Sequence, residues 1–208
     1  MDKNTPIIVE TVKNGNYIDL NNFTKDMIRI EDIVVGLARQ FRFNGLMPLS
    51  LDLHYSVAEH STHVMEHISR LQPCDYSPLD SLETEMIALC HDMSEAYLGD
   101  MPSPIKAQLP DYQKLEARVQ KTIYDYFDCK VDNPSYMKTM EQADYRMLLI
   151  EMRHCGKHAL KAESDKVNYQ YRLKCLSPEK AAIYFKASLD MCIKNRNKVR
   201  AVYAPTQY

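Results

Sequence analysis

ALCHDMSEAYLGDMPSPIK, residues 88–106, places three polar side chains at the end of an apolar run. His91 and Asp92 are adjacent, and Glu95 follows them by four and three residues, a spacing that puts all three near one face of a helix. Polar groups on an apolar helix are costly to bury unless something pairs them, and a divalent metal held by His91 and Asp92 would do so. Glu95 would then move protons beside the metal. A surface helix with solvated charges is the alternative, and it is favoured for this stretch taken alone.

Helical periodicity on both sides of this stretch predicts an all-α fold. In each segment, apolar residues recur three and four positions apart. The predicted helices cover 30–41, 56–71, 79–97, 112–127, a segment that begins near Ser135, and 178–197. Glycine is scarce, with 5 residues in 208, which favours helices and disfavours sandwiches, barrels and Gly-rich phosphate loops.

Local signals mark several helix ends. Ser56 and Glu59 have the spacing of a capping box, and Ser177 is a candidate N-cap for the last helix. Gly99 and the prolines that follow it predict a rigid loop beyond the motif. IIVETV near the N-terminus is compatible with a short strand, but no partner strand is evident, so an ordered arm is the alternative.

Length and composition fit a single domain. The chain has 208 residues, of which 45% are hydrophobic, enough for one core. We predict an N-terminal arm over 1–29, one helical domain over 30–200 and a peripheral tail over 201–208. The formal net charge of -2 predicts no electrostatic attachment to nucleic acid or to anionic lipid, although a small anionic substrate needs only a local basic pocket.

The cysteines and the N-terminus indicate a cytoplasmic protein. None of the 6 cysteines forms a Cys-x-x-Cys pair, which excludes a zinc ribbon or a thioredoxin-like motif and suits free thiols in a reducing compartment. The N-terminal sequence does not have the pattern of a signal peptide, and no apolar run approaches the length of a membrane span. We therefore expect a cytoplasmic location without membrane association.

Two residues outside the opening stretch could complete a metal site with it. His60 lies within YSVAEHS on the second predicted helix, and Asp144 lies within EQADYR on the fifth. Antiparallel helices would bring them to His91 and Asp92, giving a nitrogen–oxygen ligand set suited to Zn, Mn, Co or Fe. Taken singly, each residue favours a simpler role: His60 as a core histidine bonded to a carbonyl, and Asp144 as a solvated carboxylate or the partner of Arg146 or Lys138.

The order of these residues resembles that of the HD-domain metal-dependent phosphohydrolases, which share the pattern H…HD…D. SVAEHS, CHDMSEAYLGDMPSPIK and QAD resemble the bacterial 5'-deoxynucleotidase branch in the same order. Arg42-Phe43 matches the Arg-aromatic pair that precedes the first histidine in that branch, which also includes phage enzymes that resemble dATP triphosphohydrolases. The resemblance covers about residues 30–155 and implies a single-domain, HD-type helical bundle with the metal site between helices.

The resemblance also implies roles in catalysis. A divalent metal ion (Co, Mn, Zn or Fe) would be held by His60, His91, Asp92 and Asp144. Glu95, with Asp92, would serve the catalytic step as the acid/base partner of the metal-activated water. A metal of this kind lowers the pKa of its water and polarises a phosphate oxygen.

Three further positions are implied to contact the substrate. Arg42 would meet the phosphate through bidentate donors, although a helix-terminal cation is its alternative role and Arg39 is its rival. Asp100 would accept from the sugar 3'-hydroxyl and favour deoxyribose, unless it merely caps its loop. Phe43 stands where many relatives carry tryptophan, and the spacing from Arg42 to His60 is slightly longer, so the base preference stays open.

The predicted function is hydrolysis of deoxynucleoside 5'-phosphates. A dNTP triphosphohydrolase that releases triphosphate is the alternative, and a protein that binds metal or nucleotide without turnover is the alternative from another class. Glu95 argues against the last, because binding alone requires no proton shuttle. No nucleic-acid or membrane partner is expected. Relatives are often homo-oligomers, and the apolar residues of the last helix would form a dimer contact or cap the core.

Several other polar and aromatic residues are expected to have structural roles or to lie in solvent. His63 and His67 share a face with the first histidine and could hold a second metal, although supporting or exposed histidines are commoner. Tyr97 and Tyr112 are expected in the core, and Lys106 on a solvated loop. The methionines and tyrosines of residues 136–152 are also expected to be core.

Overall fold

The computed structural model describes residues 5–11, 17–46, 54–71, 73, 75–154, 163 and 172–203. Within these residues the elements are β1 (Ile8–Glu10), β2 (Tyr17–Asp19), α1 (Ile30–Arg39), α2 (Val57–Leu71), α3 (Pro78–Cys90), α4 (Glu95–Leu98), α5 (Ser103–Lys106), α6 (Pro110–Tyr126), α7 (Pro134–His154) and α8 (Pro178–Tyr203). The fold is therefore all-α apart from one short hairpin, which confirms the predicted class.

The helices enclose one hydrophobic core. α2 packs against α3 and α7, while α8 lies across α1, α2 and α3. The apolar positions of the helical periodicity are the buried ones, among them Leu37, Ile68, Ile87, Ile123 and Phe185. Each such side chain contributes about 1.5–3 kcal/mol when fully buried, so this packing is what holds the polar groups of the centre in place.

The helix predicted over 79–97 is interrupted, and the prediction of one continuous helix was wrong. α3 ends at Cys90, residues 91–94 form turns, and α4 begins at Glu95. The amides of Met93, Glu95 and Ala96 each donate to the carbonyl three residues earlier, at 3.0, 3.0 and 3.2 Å. This winding is tighter than that of an α-helix, and apolar periodicity does not register such a change.

The N-terminal strand has a partner that the sequence did not reveal. β1 pairs antiparallel with β2, and Val9 lies opposite Ile18. The Asp19 carboxylate accepts from the Ile7 and Asn21 amides at 3.2 and 3.0 Å, which fixes the end of the hairpin. The expected short strand is thus present, and the partner of three residues was too short to stand out in the sequence.

The capping box at the start of α2 is half formed. Ser56 Oγ accepts from the Glu59 amide at 3.1 Å, as predicted. The Glu59 carboxylate, however, accepts from the backbone N–H groups of Lys174, Cys175 and Leu176 at 2.8, 2.8 and 2.9 Å. Glu59 therefore anchors the segment that precedes α8 instead of closing its own helix end.

The last helix continues beyond its predicted end at residue 197, and it is not peripheral there. Arg200 donates to both carboxylate oxygens of Glu83 at 2.5 and 2.7 Å and to Asp128 Oδ2 at 2.6 Å. The proposed domain limits at residues 30 and 200 stay a prediction.

Two sequence expectations concern cysteines and membranes. Cys90, Cys129, Cys175 and Cys192 are free thiols, while Cys74 and Cys155 lie outside the described residues. Among the helices that the structure describes, none has the length and apolar character needed to span a bilayer.

Candidate metal centre

Three parts of the fold bring the four predicted ligands together. His60 comes from α2, His91 and Asp92 from the turn after α3, and Asp144 from α7. The His60 and His91 Nε2 atoms are 3.3 Å apart, and Asp92 Oδ2 is 3.1 Å from His91 Nε2. Asp144 Oδ1 lies 3.1 Å from His60 Nε2 and 3.8 Å from His91 Nε2. Ligand atoms of His60, His91 and Asp92 therefore lie within 4.8 Å of one another, close enough for one ion, while Asp144 lies beside both histidines at the edge of this group.

The hydrogen bonds of the two histidines fix which ring nitrogen is a donor. His91 Nδ1 lies 2.7 Å from the Ala88 carbonyl oxygen, which can only accept, so Nδ1 carries the proton. His60 Nδ1 likewise donates to Glu151 Oε1 at 2.6 Å. In the neutral rings the two Nε2 lone pairs thus face each other, an arrangement that repels without a cation between them. A metal fits this donor set, since it binds neutral imidazole at such a nitrogen.

The charges of the cluster lead to the same conclusion. Burial raises the pKa of Asp92, but His91 and Arg42 lower it far below its usual range. Burial also raises the pKa of Asp144, yet His60 and His91 bring it down to about 2. Burial and Arg42 lower the pKa of His60, whereas Glu151 and Asp144 raise it, to about 9. The cluster therefore attracts positive charge, which a divalent metal would supply in place of a proton.

Arg42 lies among the carboxylates of the centre, and its side chain is 13% exposed. Its guanidinium is 3.4 Å from Asp92, 3.9 Å from Asp144 and 3.5 Å from Glu151. Its backbone amide donates to the Tyr55 carbonyl at 2.9 Å, which holds the residue beside the start of α2. The rival, Arg39, ends α1 as an exposed residue.

Glu151 belongs to this centre and was missed in the sequence, where its segment was expected to be core. Its carboxylate is fully buried and accepts from His60 Nδ1, from Tyr55 Oη at 2.7 Å and from Arg42 Nε at 3.5 Å. It follows Asp144 by seven residues, two helical turns, and so lies on the same face of α7. That spacing was the available signal, but it carries no metal-ligand pattern of its own.

Glu95 is 3% exposed, and within the described residues its Oε2 has no hydrogen-bond partner. Burial, with Asp92 and Asp100 next in effect, raises its pKa well above the usual value. Its backbone carbonyl accepts from Gln40 Nε2 at 2.5 Å. α4 also lies directly on α1 at Gly36, where an added Cβ would be 2.9 Å from the Ala96 carbonyl oxygen.

A cavity of about 400 Å³ opens beside these groups. Its described lining consists of Arg42, Phe43, Asp92, Glu95, Asp100, Met101, Pro102, Ser103, Pro104, Lys106, Asp144, Leu148 and Met152. Asp100 Oδ2 is buried there without a hydrogen-bond partner among the described residues. Lys106 is half-buried and paired with Glu116 at 2.7 Å, so it is not the freely solvated lysine expected. The Phe43 ring lies 5.3 Å from the Arg42 guanidinium carbon.

The remaining candidates lie elsewhere. His63 and His67 are buried, and in the described part of the chain neither joins the group of close metal-ligating atoms. His63 Nδ1 is 3.4 Å from Tyr55 Oη, and His67 Nδ1 is 3.0 Å from the His63 carbonyl. Tyr97 packs on Phe23 with ring centres 5.2 Å apart. Tyr112, which is half-buried, donates to the Gly99 carbonyl at 3.2 Å.

A helical fold with two histidines and two aspartates at the junction of three helices is that of an HD-type metal centre. Residues 49–155 match the HD domain family, and the chain belongs to that family, whose members are generally hydrolases that bind divalent metals.

Two curated relatives are similar over most of the chain. The uncharacterized protein YfdR of Escherichia coli (strain K12) is 34% identical over 143 residues, 68% of this chain and 69% of that protein. An uncharacterized protein of Rhodobacter capsulatus is 33% identical over 155 residues, 74% of this chain and 75% of that protein.

Proposed function

We propose that this protein is a metal-dependent phosphohydrolase that removes phosphate from deoxynucleoside 5'-monophosphates. The observation that carries the proposal is the cavity of about 400 Å³, because its lining includes the two aspartates of the candidate metal cluster and Glu95. The lining also offers Arg42 and Lys106 to an anion. This volume lies within the range of roughly 300–1,000 Å³ that is usual for small-molecule sites.

The phosphate contacts follow from the two cations. Arg42 has a planar set of donors, which suits two phosphate oxygens at once. Its three carboxylate neighbours hold it in position at 3.4–3.9 Å without a short bond, so its donors can turn to a stronger acceptor. Lys106 would leave Glu116 in part to meet the same charge.

The reaction also needs a group that transfers protons. A divalent metal held by His60, His91, Asp92 and Asp144 supplies an activated water and polarises the phosphate. Glu95 lines the cavity with a buried oxygen that no described residue satisfies. Because burial beside Asp92 and Asp100 raises its pKa, Glu95 keeps a proton more readily than an ordinary carboxyl group and is suited to give it to the leaving oxygen.

Two other residues of the lining, Asp100 and Phe43, would contact the sugar and the base. The unsatisfied Asp100 Oδ2 is suited to accept a hydrogen bond from a sugar hydroxyl. Because no described hydrogen bond caps its loop through this oxygen, the sugar role is preferred to the capping role. Phe43 offers a ring face to the base.

The charge of the cavity favours a monophosphate over a triphosphate. Of its described lining residues, four are carboxylates (Asp92, Glu95, Asp100 and Asp144), whereas two are side-chain cations. A divalent metal would offset the two aspartates that hold it, which leaves Arg42 and Lys106 for the substrate. These two cations match the charge of one phosphate, whereas a triphosphate would need further cations outside the described lining.

The testing experiment is a panel of deoxynucleoside and ribonucleoside mono- and triphosphates, each assayed with Mn, Co or Zn. We expect inorganic phosphate from the deoxynucleoside monophosphates. Triphosphate as product would establish the alternative, and metal binding without hydrolysis of any nucleotide would establish a binding protein. Glu179→Gln, at an exposed position on α8, is the control for Gln substitutions.

We also propose that a second copy of the chain contacts α8. Its Phe185 and Leu189 cap the core, while Ile183 and Met191 are 64% and 54% exposed. The helix thus has apolar residues for both predicted roles. Sedimentation that shows a monomer at micromolar concentration would exclude the dimer.

A further inference from the structure

The side-chain amide of Gln120 is inserted into the break between α3 and α4. Gln120 lies on α6, and its Nε2 donates to the Cys90 carbonyl at 2.7 Å. Its Oε1 accepts from the Ser94 amide at 3.1 Å. One carboxamide therefore bonds both edges of the four-residue turn that interrupts the helix.

These two edges are the groups that an uninterrupted helix would join to each other. In an α-helix the amide of residue 94 donates to the carbonyl of residue 90. Here Gln120 supplies a donor to that carbonyl and an acceptor to that amide, so both groups are satisfied while the helix stays open. A side chain inserted in the backbone ladder is a recognised cause of a helix break.

The turn held open in this way contains the metal ligands of the motif. His91 and Asp92 lie inside it, and Glu95 follows directly. His91 Nδ1 is tied back to the Ala88 carbonyl in α3, whereas the Glu95 carbonyl is tied forward to Gln40. A closed helix would rotate the groups after Cys90 relative to those before it, and so would change how Asp92 and Glu95 face His60.

We propose that Gln120 is a positioning residue that keeps this helix open and thereby sets the metal affinity of the centre and the placement of Glu95. The inference rests on the proposed function for the identity of the reaction. Gln120 touches neither the candidate ligands nor the described lining of the cavity through the bonds above, so it acts through the backbone of residues 90–94.

The test measures Mn²⁺ binding to the full chain by titration calorimetry, together with thermal unfolding and kcat and KM. Gln120→Leu keeps the approximate size of the side chain and removes both bonds. We expect Mn²⁺ to bind about 10- to 100-fold more weakly, the range usual for groups that orient metal ligands. At saturating Mn²⁺ we expect kcat to fall and KM to stay near its wild-type value, because Arg42 and Lys106 are unchanged.

Two further variants make the result specific. Gln120→Glu retains an acceptor for the Ser94 amide but places a carboxylate against the Cys90 carbonyl, so its Mn²⁺ affinity should also fall. This variant replaces Gln120→Leu as the test if Gln120→Leu does not fold. Thr122→Val is the control on α6, because the Thr122 hydroxyl donates to the Arg118 carbonyl of its own helix, at 3.1 Å. This control should bind Mn²⁺ as the wild type does.

The outcomes separate the two proposals. Weaker Mn²⁺ binding in both Gln120 variants, with the control unchanged, supports the positioning role. Unchanged Mn²⁺ affinity in a folded Gln120 variant overturns it, even if the melting temperature falls. A wild type that binds Mn²⁺ but hydrolyses no nucleotide overturns the proposed function alone.

Discussion

The middle of α3 and the turn beyond its C-terminal end both carry buried charges, and they differ in how those charges are balanced. In the middle of the helix, Glu83 is 3% exposed and meets Arg200 through two bonds, with Arg196 3.6 Å away. Arg196 also donates to the Phe127 carbonyl at 2.7 Å. Beyond its C-terminal end, His91 and Asp92 lie in a cluster whose lining has twice as many carboxylates as cations.

This difference separates a cluster that holds the fold from one that is suited to hold a ligand. Arg200 bridges Glu83 to Asp128, so each acid of the first cluster has a cation beside it. In the second cluster, buried oxygens of Glu95, Asp100 and Asp144 have no hydrogen-bond partner in the described residues. Unsatisfied buried groups cost stability, and their concentration beside a cavity is typical of functional sites.

The largest effect on the rate of hydrolysis is expected from Glu95→Gln. It keeps the shape of the side chain and removes the transferable proton, so kcat should fall about 100- to 10,000-fold. Stability should not fall, because a buried carboxyl without a partner is replaced by a neutral amide. Phosphate-release kinetics and urea unfolding measure the two quantities. Unchanged hydrolysis would show that Glu95 is not the proton-transfer group.

Glu83→Gln tests the charge cluster in the middle of α3. It leaves two guanidinium groups without their carboxylate, and breaking a buried ion pair in this way costs about 3–5 kcal/mol. Arg200 is partly exposed, so we expect the lower part of that range. Urea unfolding measures the loss, and Mn²⁺ titration of the folded variant should match the wild type. A weaker Mn²⁺ affinity would mean that this cluster and the candidate metal centre are coupled.

Asp100→Ala is expected to reduce kcat/KM for the deoxynucleotide about 10- to 100-fold, from the loss of roughly 1.5–3 kcal/mol of hydrogen bonding to a charged acceptor. Mn²⁺ content and melting temperature should stay the same. Assays on matched deoxy- and ribonucleoside monophosphates give the ratio. Full activity with full preference for deoxyribose would reduce Asp100 to a loop residue.

The smallest effect is expected from Phe43→Asn, for which the direction of the change in the free energy of unfolding is the result that matters. Phe43 has φ 57°, a left-handed conformation that a bulky residue rarely adopts and asparagine tolerates better. The free energy of unfolding should rise by about 1 kcal/mol or less while KM rises. Phe41→Asn is the control, because Phe41 has φ -72° and gives no such relief. A loss of stability in Phe43→Asn would show that the ring supports the fold.

Much of the helical fold could be predicted because apolar spacing decides which residues are buried. Ile68 and Phe185 lie in the core for that reason. The break after Cys90 could not be predicted, since it depends on Gln120, a residue 30 positions later whose side chain competes with the backbone. Glu59 shows the same limit: its local capping pattern was overridden by amides from residues 174–176.

The candidate site could likewise be predicted from the sequence only in part. His60, His91, Asp92 and Asp144 could be proposed together because their order resembles the HD-domain pattern. The structure brings His60, His91 and Asp92 within 4.8 Å of one another, with Asp144 beside both histidines. Glu151 supports them through hydrogen bonds that many residue types can make. Its role became visible only when α7 was placed against α2.

Glu59 has a consequence for the order in which a newly made chain can assemble. Glu59 and His60 are neighbours on α2, yet one is held by residues 174–176 and the other by Glu151. A ribosome that has released the chain as far as Asp144 has delivered all four candidate ligands but neither of these supports. During translation the hydrogen bond of His60 to Glu151, and those of Glu59 to residues 174–176, can therefore form only after those later residues have emerged.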